Sequence, residues 1–379
     1  MIPALFTSIS TCPIDSLTIL KADFNLTSDM VQLILTVYII AAGIGQLIFG
    51  ILSDRFGRRP ILLTGSLLFV LSSIVSVFSP NILFLLIMRT FQGLGAAACM
   101  SMARVIVNDS FNKTEAAEKL SLITAIMVIF PLISLILGGF IAQTLGWVGT
   151  MYVFFIFGLI ILTGSIYNIS ETKIEKLNNL NFLKITNSFL VVLKNTKFIT
   201  FTLIGAIQTG IFFSSFGFMP YEFARLGVSP LEFGFWLSFT GIGYFLGNIL
   251  NRNYASKFGI EALIILGCCF SLLSYLTILV LNLNDFIHPL YISIPIIIFG
   301  LGNGFTVANC IIGGVSTTGA NSGTATGIAG ALQMSSGGVI GSIIISFGGD
   351  KSFVLCLLFV IFLCFVALLL SVFNFIKKI

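Results

Sequence analysis

Histidine is nearly absent from this chain: His288 is the only one in 379 residues. Zinc chemistry and histidine-based acid–base catalysis therefore have almost nothing to stand on. Charge is scarce too, at 9% of residues, which excludes an ordinary solvated surface. No Gly-x-x-x-x-Gly-Lys-Ser/Thr loop is present to cradle phosphates, and no polar stretch could form a nucleotide-binding domain, so an ATP-driven pump is excluded. Gly241-x-Gly243 lies in an apolar run without the rest of a dinucleotide fingerprint. The cysteines at positions 12, 99, 268, 269, 310, 356 and 364 lack Cys-x-x-Cys spacing and read as small packing residues. On this reading the chain is not an enzyme and uses no metal and no cofactor.

What is present is apolar. Hydrophobic residues make up 57% of the chain and the mean hydropathy is +1.10. Apolar runs of roughly eighteen residues or more recur along it, as membrane-spanning helices require, with none of the short alternating segments of an outer-membrane barrel. Polar punctuation predicts twelve spans, near 1–20, 30–51, 59–79, 82–107, 119–144, 149–168, 198–221, 231–250, 260–281, 289–313, 321–347 and 352–376. The expected architecture is an all-α integral membrane protein, with an N-terminal six-helix bundle over 1–168 and a C-terminal one over 198–379. Between them, 169–197 reads as a lysine-rich cytoplasmic linker with room for an amphipathic surface helix. The first span has no basic leader and no small-residue cleavage site, so it reads as a retained helix and not a signal peptide.

The basic residues set the orientation. Fourteen lysines and arginines fall on one set of loops and only Lys21, Arg225 and Lys351 on the other. The richer side is expected to be cytoplasmic, with both termini inside. The net charge of +5 thus follows topology and does not point to nucleic acid.

Four charges crowd one short connection, Gly50-Ile-Leu-Ser-Asp54-Arg55-Phe-Gly57-Arg58-Arg59-Pro60. It reads as a rigid loop at the membrane surface, where a carboxylate pairs with guanidinium groups. Its glycines suit a tight turn, and its charges suit a cytoplasmic gate that shifts an inward/outward equilibrium. Gly247-Asn-Ile-Leu-Asn251-Arg252, followed by Gly259, repeats the pattern at an offset of 197 residues. Asn251 in place of the aspartate suggests a vestigial latch in the second half. Gly138-Gly139 is echoed by Gly337-Gly338. Such repeats predict two pseudo-symmetric bundles around a central cavity.

With these motifs the chain resembles the major facilitator superfamily along essentially its whole length. Gly-x-x-x-Asp-Arg-x-Gly-Arg-Arg resembles that family's loop between the second and third helices. Arg89-Thr-Phe-Gln92-Gly93-Leu-Gly95 resembles a fourth-helix motif of its proton-coupled members, and Pro131 with Gly138-Gly139 the fifth-helix motif of its drug antiporters. Together these are most similar to the Bcr/CflA subfamily, named for bicyclomycin and chloramphenicol/florfenicol resistance. The resemblance implies a drug:proton antiporter of the bacterial cytoplasmic (inner) membrane that exports small amphipathic compounds by alternating access. Its partners would be a small-molecule substrate, the proton and the lipid bilayer, and one chain would suffice as a monomer. Two positions depart from the pattern. Leu135 stands where those antiporters carry a proline before the glycine pair. Thr11 aligns with their acidic helix-one residue, with Asp15 one turn later. A permease of narrow specificity with the same fold, or a transport-inactive relative, remains open on these departures.

Arg89 is the first candidate for the work of coupling. It lies about eight residues into its span, roughly 12 Å below the outer boundary, and an arginine at that depth faces a polar cavity or a partner. Asp15 falls about 9 Å below the same boundary, given a ~30 Å core. The matched depths suggest that Asp15 and Arg89 approach one another and carry the proton. Gln92 shares a face with Arg89. Gln92, Asn303, Asn309 and Gln333 are candidates either for cavity lining or for helix-to-helix hydrogen bonds. Thirty-nine phenylalanines suggest aromatic walls for lipophilic or cationic ligands. Glu222 and Glu261 read as boundary charges.

Overall fold

A computed structural model describes residues 20–21, 23–24, 26–111, 113–172, 182–319, 322–348 and 351–376. Among them lie eleven helices: α1 (Ser28–Phe56), α2 (Arg58–Val77), α3 (Ile82–Ser110), α4 (Lys113–Asn168), α5 (Phe182–Leu193), α6 (Thr196–Arg225), α7 (Pro230–Phe258), α8 (Ile260–Leu283), α9 (Leu290–Ser316), α10 (Ser322–Ser346) and α11 (Phe353–Ile376). Ten stretches among the described residues are long and apolar enough to cross a membrane. The predicted first span lies outside the described residues. The predicted fifth and sixth spans are the two arms of α4, divided by Gly146, whose φ of 64° and ψ of −167° break the helix.

The helices start where the sequence supplies caps. The Asn81 and Asn195 side chains accept from the backbone N–H groups of Phe84 and Phe198, at 2.9 and 3.0 Å. Ser229 and Glu232 form a capping box with Pro230 in the first turn of α7. Hydroxyls inside the spans are satisfied by their own helix: Ser66, Ser72, Ser73 and Ser76 of α2 each donate to the carbonyl four residues back, at 2.6–2.8 Å. That is how a serine-rich segment meets the demand that hydrocarbon places on polar groups.

Apolar residues cover both faces of the spans. On α11, Leu357, Val360, Cys364 and Ala367 are buried, while Leu358, Phe362, Phe365 and Leu369 are exposed on another face. A helix that is hydrophobic all round is solvated by lipid and not by water. The chain is a multi-pass membrane protein.

It divides into two compact units, Met1–Asn181 and Phe182–Ile379, so the boundary falls inside the stretch read as a linker. In the first unit α3 packs between α1 and α2, and α2 packs on α4. In the second, α9 packs against α7, α8 and α6, and α6 against α10 and α11. The amphipathic helix anticipated in the linker is α5, which packs on α10 and α6.

Close approach between α2 and α3 depends on Gly95. A Cβ there would lie 2.7 Å from both the Gly65 carbonyl oxygen and the Phe69 backbone nitrogen. Gly50, by contrast, has open space around it. Gly95→Ala is expected to lower stability by about 1–3 kcal/mol through overpacking, and Gly50→Ala to leave it within about 0.5 kcal/mol. Thermal unfolding of the purified variants in detergent checks the contrast; equal midpoints would contradict this account of the α2–α3 contact.

Candidate functional site

Two polar clusters organise the first unit. The first is built at Gly57, the single residue between α1 and α2, whose φ of 101° and ψ of 162° suit glycine. The expected loop is thus a helix–glycine–helix corner. It folds Arg58 back over the end of α1, and the Arg58 residue is only 7% exposed. One guanidinium nitrogen lies 2.9 Å from Asp54 Oδ1 and also donates to Ser53 Oγ. Arg58 Nε donates to Asp109 Oδ2 of α3 at 3.0 Å. The Arg58 backbone N–H donates to Glu171 Oε1 at 2.8 Å, just beyond α4. A carboxylate at the start of α2 is stabilised by the helix dipole. Arg59 donates to the Ile166 carbonyl in the last turn of α4 at 3.0 Å, where a cation is favoured for the same reason.

Ends of α1, α2, α3 and α4, the helices described in the first unit, therefore meet at one corner. Asp54, Arg58 and Arg59 belong to it. Arg55 does not join Arg58's bonds; its guanidinium stacks 5.3 Å from the Phe56 ring centroid. Gly50 contributes its carbonyl to Ser53 Oγ, at 2.7 Å. Asp109, Glu171 and Ser53 were missed by sequence reasoning. The available signal was electroneutrality, because so many cations on a one-residue connection need acids from neighbouring helix ends.

The second cluster surrounds Arg89, whose side chain is fully buried in α3. Its guanidinium carbon lies 4.3 Å from the centroid of the Tyr38 ring of α1 and 5.6 Å from that of Phe154 of α4. Arg89 Nε donates to the Ile34 carbonyl at 3.4 Å, and a terminal nitrogen donates to Gln92 Oε1 at 2.5 Å. Gln92 Nε2 passes the contact on to Ser73 Oγ of α2 at 2.6 Å. Arg89, on α3, thus has contacts reaching α1, α2 and α4, and Gln92 shares its face as expected. Asp15 and Thr11 lie outside the described residues. Pro131, Gly138 and Gly139 all lie on the first arm of α4, with both glycines buried.

The second unit repeats the plan with different chemistry. Gly259, at φ 78° and ψ 156°, separates α7 from α8 as Gly57 separates α1 from α2. Asn251, in the aspartate's place, has a partner of its own. Its amide and that of Asn309 on α9 bond reciprocally, Asn309 Nδ2 donating to Asn251 Oδ1 at 2.7 Å and Asn251 Nδ2 to Asn309 Oδ1 at 3.4 Å. Asn309 is therefore a tie between helices. Asn303 and Gln333 are buried near the middles of α9 and α10. Glu222, read as a boundary charge, is 8% exposed and accepts from the Tyr291 hydroxyl of α9 at 2.8 Å. Arg225 lies 3.4 Å from its other oxygen, and Asn282 of α8 donates to the Tyr291 hydroxyl at 3.1 Å. The tyrosine was unreadable in advance because it lies 69 residues away.

Comparison with known proteins adds to this geometry. A family model described as the Major Facilitator Superfamily matches residues 4–342. A bicyclomycin resistance protein homolog of Haemophilus influenzae is 25% identical over 87% of this chain and 83% of its own length. A chloramphenicol resistance protein of Pseudomonas aeruginosa is 29% identical over 60% of this chain and 55% of its own. A peptide transporter of solved structure superposes with a TM-score of 0.80 at 14% identity, covering 98% of this chain and 92% of that one.

The corner at Gly57 yields a contrast between neighbouring arginines. Arg58→Ala leaves Asp54 and Asp109 without their shared cation, and is expected to cost about 2–3 kcal/mol. That is less than the roughly 3–5 kcal/mol of a fully buried pair, because the two carboxylates are 40% and 28% exposed. Arg55→Ala should change stability by less than about 0.5 kcal/mol. Melting of the two purified variants tests this, and equal losses would remove Arg58 from its central place.

Proposed function

The chain belongs to the major facilitator superfamily, and we propose that it is a proton-coupled exporter of small amphipathic compounds, working by alternating access. One observation carries the coupling part: a guanidinium fully buried at the meeting point of α1, α2, α3 and α4. Intramembrane cations are retained where they do work. Arg89 holds the charge, and Asp15 of the first span is the proton-accepting group at matching depth. In that cycle a deprotonated Asp15 pairs with Arg89, and protonation releases the pair and changes which packing of the unit is favoured. The corner formed by Asp54, Arg58, Asp109 and Glu171 keeps the helix ends together through the change. Export, and not uptake, is supported by relatives named for bicyclomycin and chloramphenicol resistance. The same reading puts the protein in a bacterial cytoplasmic membrane as a monomer, with both termini inside. Leu135, where the antiporters carry proline, favours instead a permease of narrow specificity.

Transport in proteoliposomes under an imposed pH gradient separates these readings. Chloramphenicol, a bicyclomycin-type compound and a lipophilic dye serve as the panel. Gradient-driven movement is expected in the parent protein, with at least about a tenfold loss in Arg89→Lys, whose ammonium cannot reproduce the planar stacking and forked bonding. In Asp15→Asn, movement down the substrate's own gradient should persist while the pH gradient ceases to drive it. Undiminished pH-driven transport by Asp15→Asn overturns the coupling role; no movement of any panel compound in the parent favours the permease.

A further inference from the structure

Exposed apolar residues on a span are explained by lipid, but α5 does not span. Its 12 residues reach about 18 Å at 1.5 Å per residue, well short of a ~30 Å hydrocarbon core. Yet Leu190, Val191 and Leu193 are exposed, at 49%, 57% and 45%. Val192, on the other side of the helix, is buried, and α5 packs on α10 and α6. One face of α5 is therefore used inside the unit, while an equally apolar face is left outside it. Water is a poor solvent for such a face.

The helix is fixed at the level where spans end. Only Lys194 and Asn195 separate it from α6. The Lys194 backbone N–H donates to the Leu190 carbonyl at 3.1 Å, closing the last turn of α5. Asn195 caps α6 by accepting from the Phe198 N–H at 3.0 Å, and its Nδ2 donates to the Thr317 carbonyl, just past α9, at 2.9 Å. Charge on this segment has one sign. Residues 176–221 contain Lys176, Lys184, Lys194 and Lys197 and neither Asp nor Glu. Lys194 stands one turn beyond Leu190 on the exposed face. Lys194 and Lys197 are both exposed, and among the described residues neither ammonium is ion-paired.

We propose that the outer face of α5 is a docking surface for anionic phospholipid. Apolar side chains edged by lysines, on a short helix held at the ends of spans, match the way a helix lies in the headgroup layer. Leu190, Val191 and Leu193 enter the boundary of the acyl chains, and Lys194 and Lys197 meet the headgroup phosphates. A headgroup with net negative charge complements this acid-free segment, whereas a zwitterionic one brings a cation of its own toward the lysines. The proposal is independent of the transported compound and of proton coupling, so failure of the exporter reading leaves it standing.

Lipid binding to the purified full chain in a neutral detergent tests it. The probes are phosphatidylglycerol and phosphatidylcholine with the same fluorescent acyl chain. Phosphatidylglycerol is expected to bind at least about tenfold more tightly, and less so as salt is raised. The double variant Lys194→Gln, Lys197→Gln should lose at least about tenfold in phosphatidylglycerol affinity, since each lysine at an anionic surface is worth about fivefold. Leu190→Gln with Val191→Gln should weaken both lipids. Lys351→Gln, at an exposed lysine just before α11, should change neither. All these side chains are exposed, so melting midpoints without lipid should match the parent's. Equal binding of the two lipids overturns the proposal, as does unchanged phosphatidylglycerol affinity in either double variant or an equal loss in Lys351→Gln. A parent protein that is dimeric by light scattering, and monomeric in Leu190→Gln with Val191→Gln, places a second copy on this face and overturns it too.

Discussion

A guanidinium buried among hydrocarbon side chains has to be met by ring faces and acceptors, because water is not there to solvate it. In the first unit that requirement is met from three neighbouring helices. Tyr38 and the Ile34 carbonyl come from α1, Ser73 from α2 by way of Gln92, and Phe154 from α4. A stacked, desolvated cation–π contact is worth about 2 kcal/mol, and a charged hydrogen bond about 1.5–3 kcal/mol. Satisfying Arg89 therefore dictates where the helices meet, and close approach at Gly95 allows α3 to lie against α2 at the necessary depth. Any group that competes for the guanidinium would act on α1, α2, α3 and α4 together.

The two units share a plan and differ in its chemistry. Each has a glycine corner, at Gly57 and at Gly259, and each ties the helix before that corner to a more distant one. In the first unit the tie is ionic, running from Asp54 through Arg58 to Asp109; in the second it is the amide pair Asn251–Asn309. Ionised bonds are roughly twice as strong as neutral ones. The tie at the first corner is therefore the stronger of the two. The second unit keeps unpartnered neutral polar atoms at mid-depth and its one buried described carboxylate, Glu222, near a helix end.

Much of the architecture was legible because hydrophobic runs and polar breaks are local. The predicted span at 82–107 falls inside α3 and that at 352–376 nearly coincides with α11. The charged motif at Gly50–Pro60, the burial of Arg89 and its alliance with Gln92 were also readable from spacing. What sequence could not give was which helix faces meet. Asp109 and Glu171 lie 51 and 113 residues from Arg58, and nothing local marks them as its partners. Asn251 looked like a lost aspartate, since the amide that completes it is 58 residues away. Asn303 and Asn309 looked alike in sequence, yet one is bonded and the other is not. Span by span the pattern reports burial, and pairing across helices emerges only from packing.

The most direct test of proton–substrate exchange is the change in proton concentration when ligand is added to the purified protein in weakly buffered detergent solution. If binding of substrate and of the proton exclude one another, adding chloramphenicol to protonated protein should release protons, and Asp15→Asn should release none. Proton uptake, or ligand binding with no proton change in the parent protein, would contradict the account.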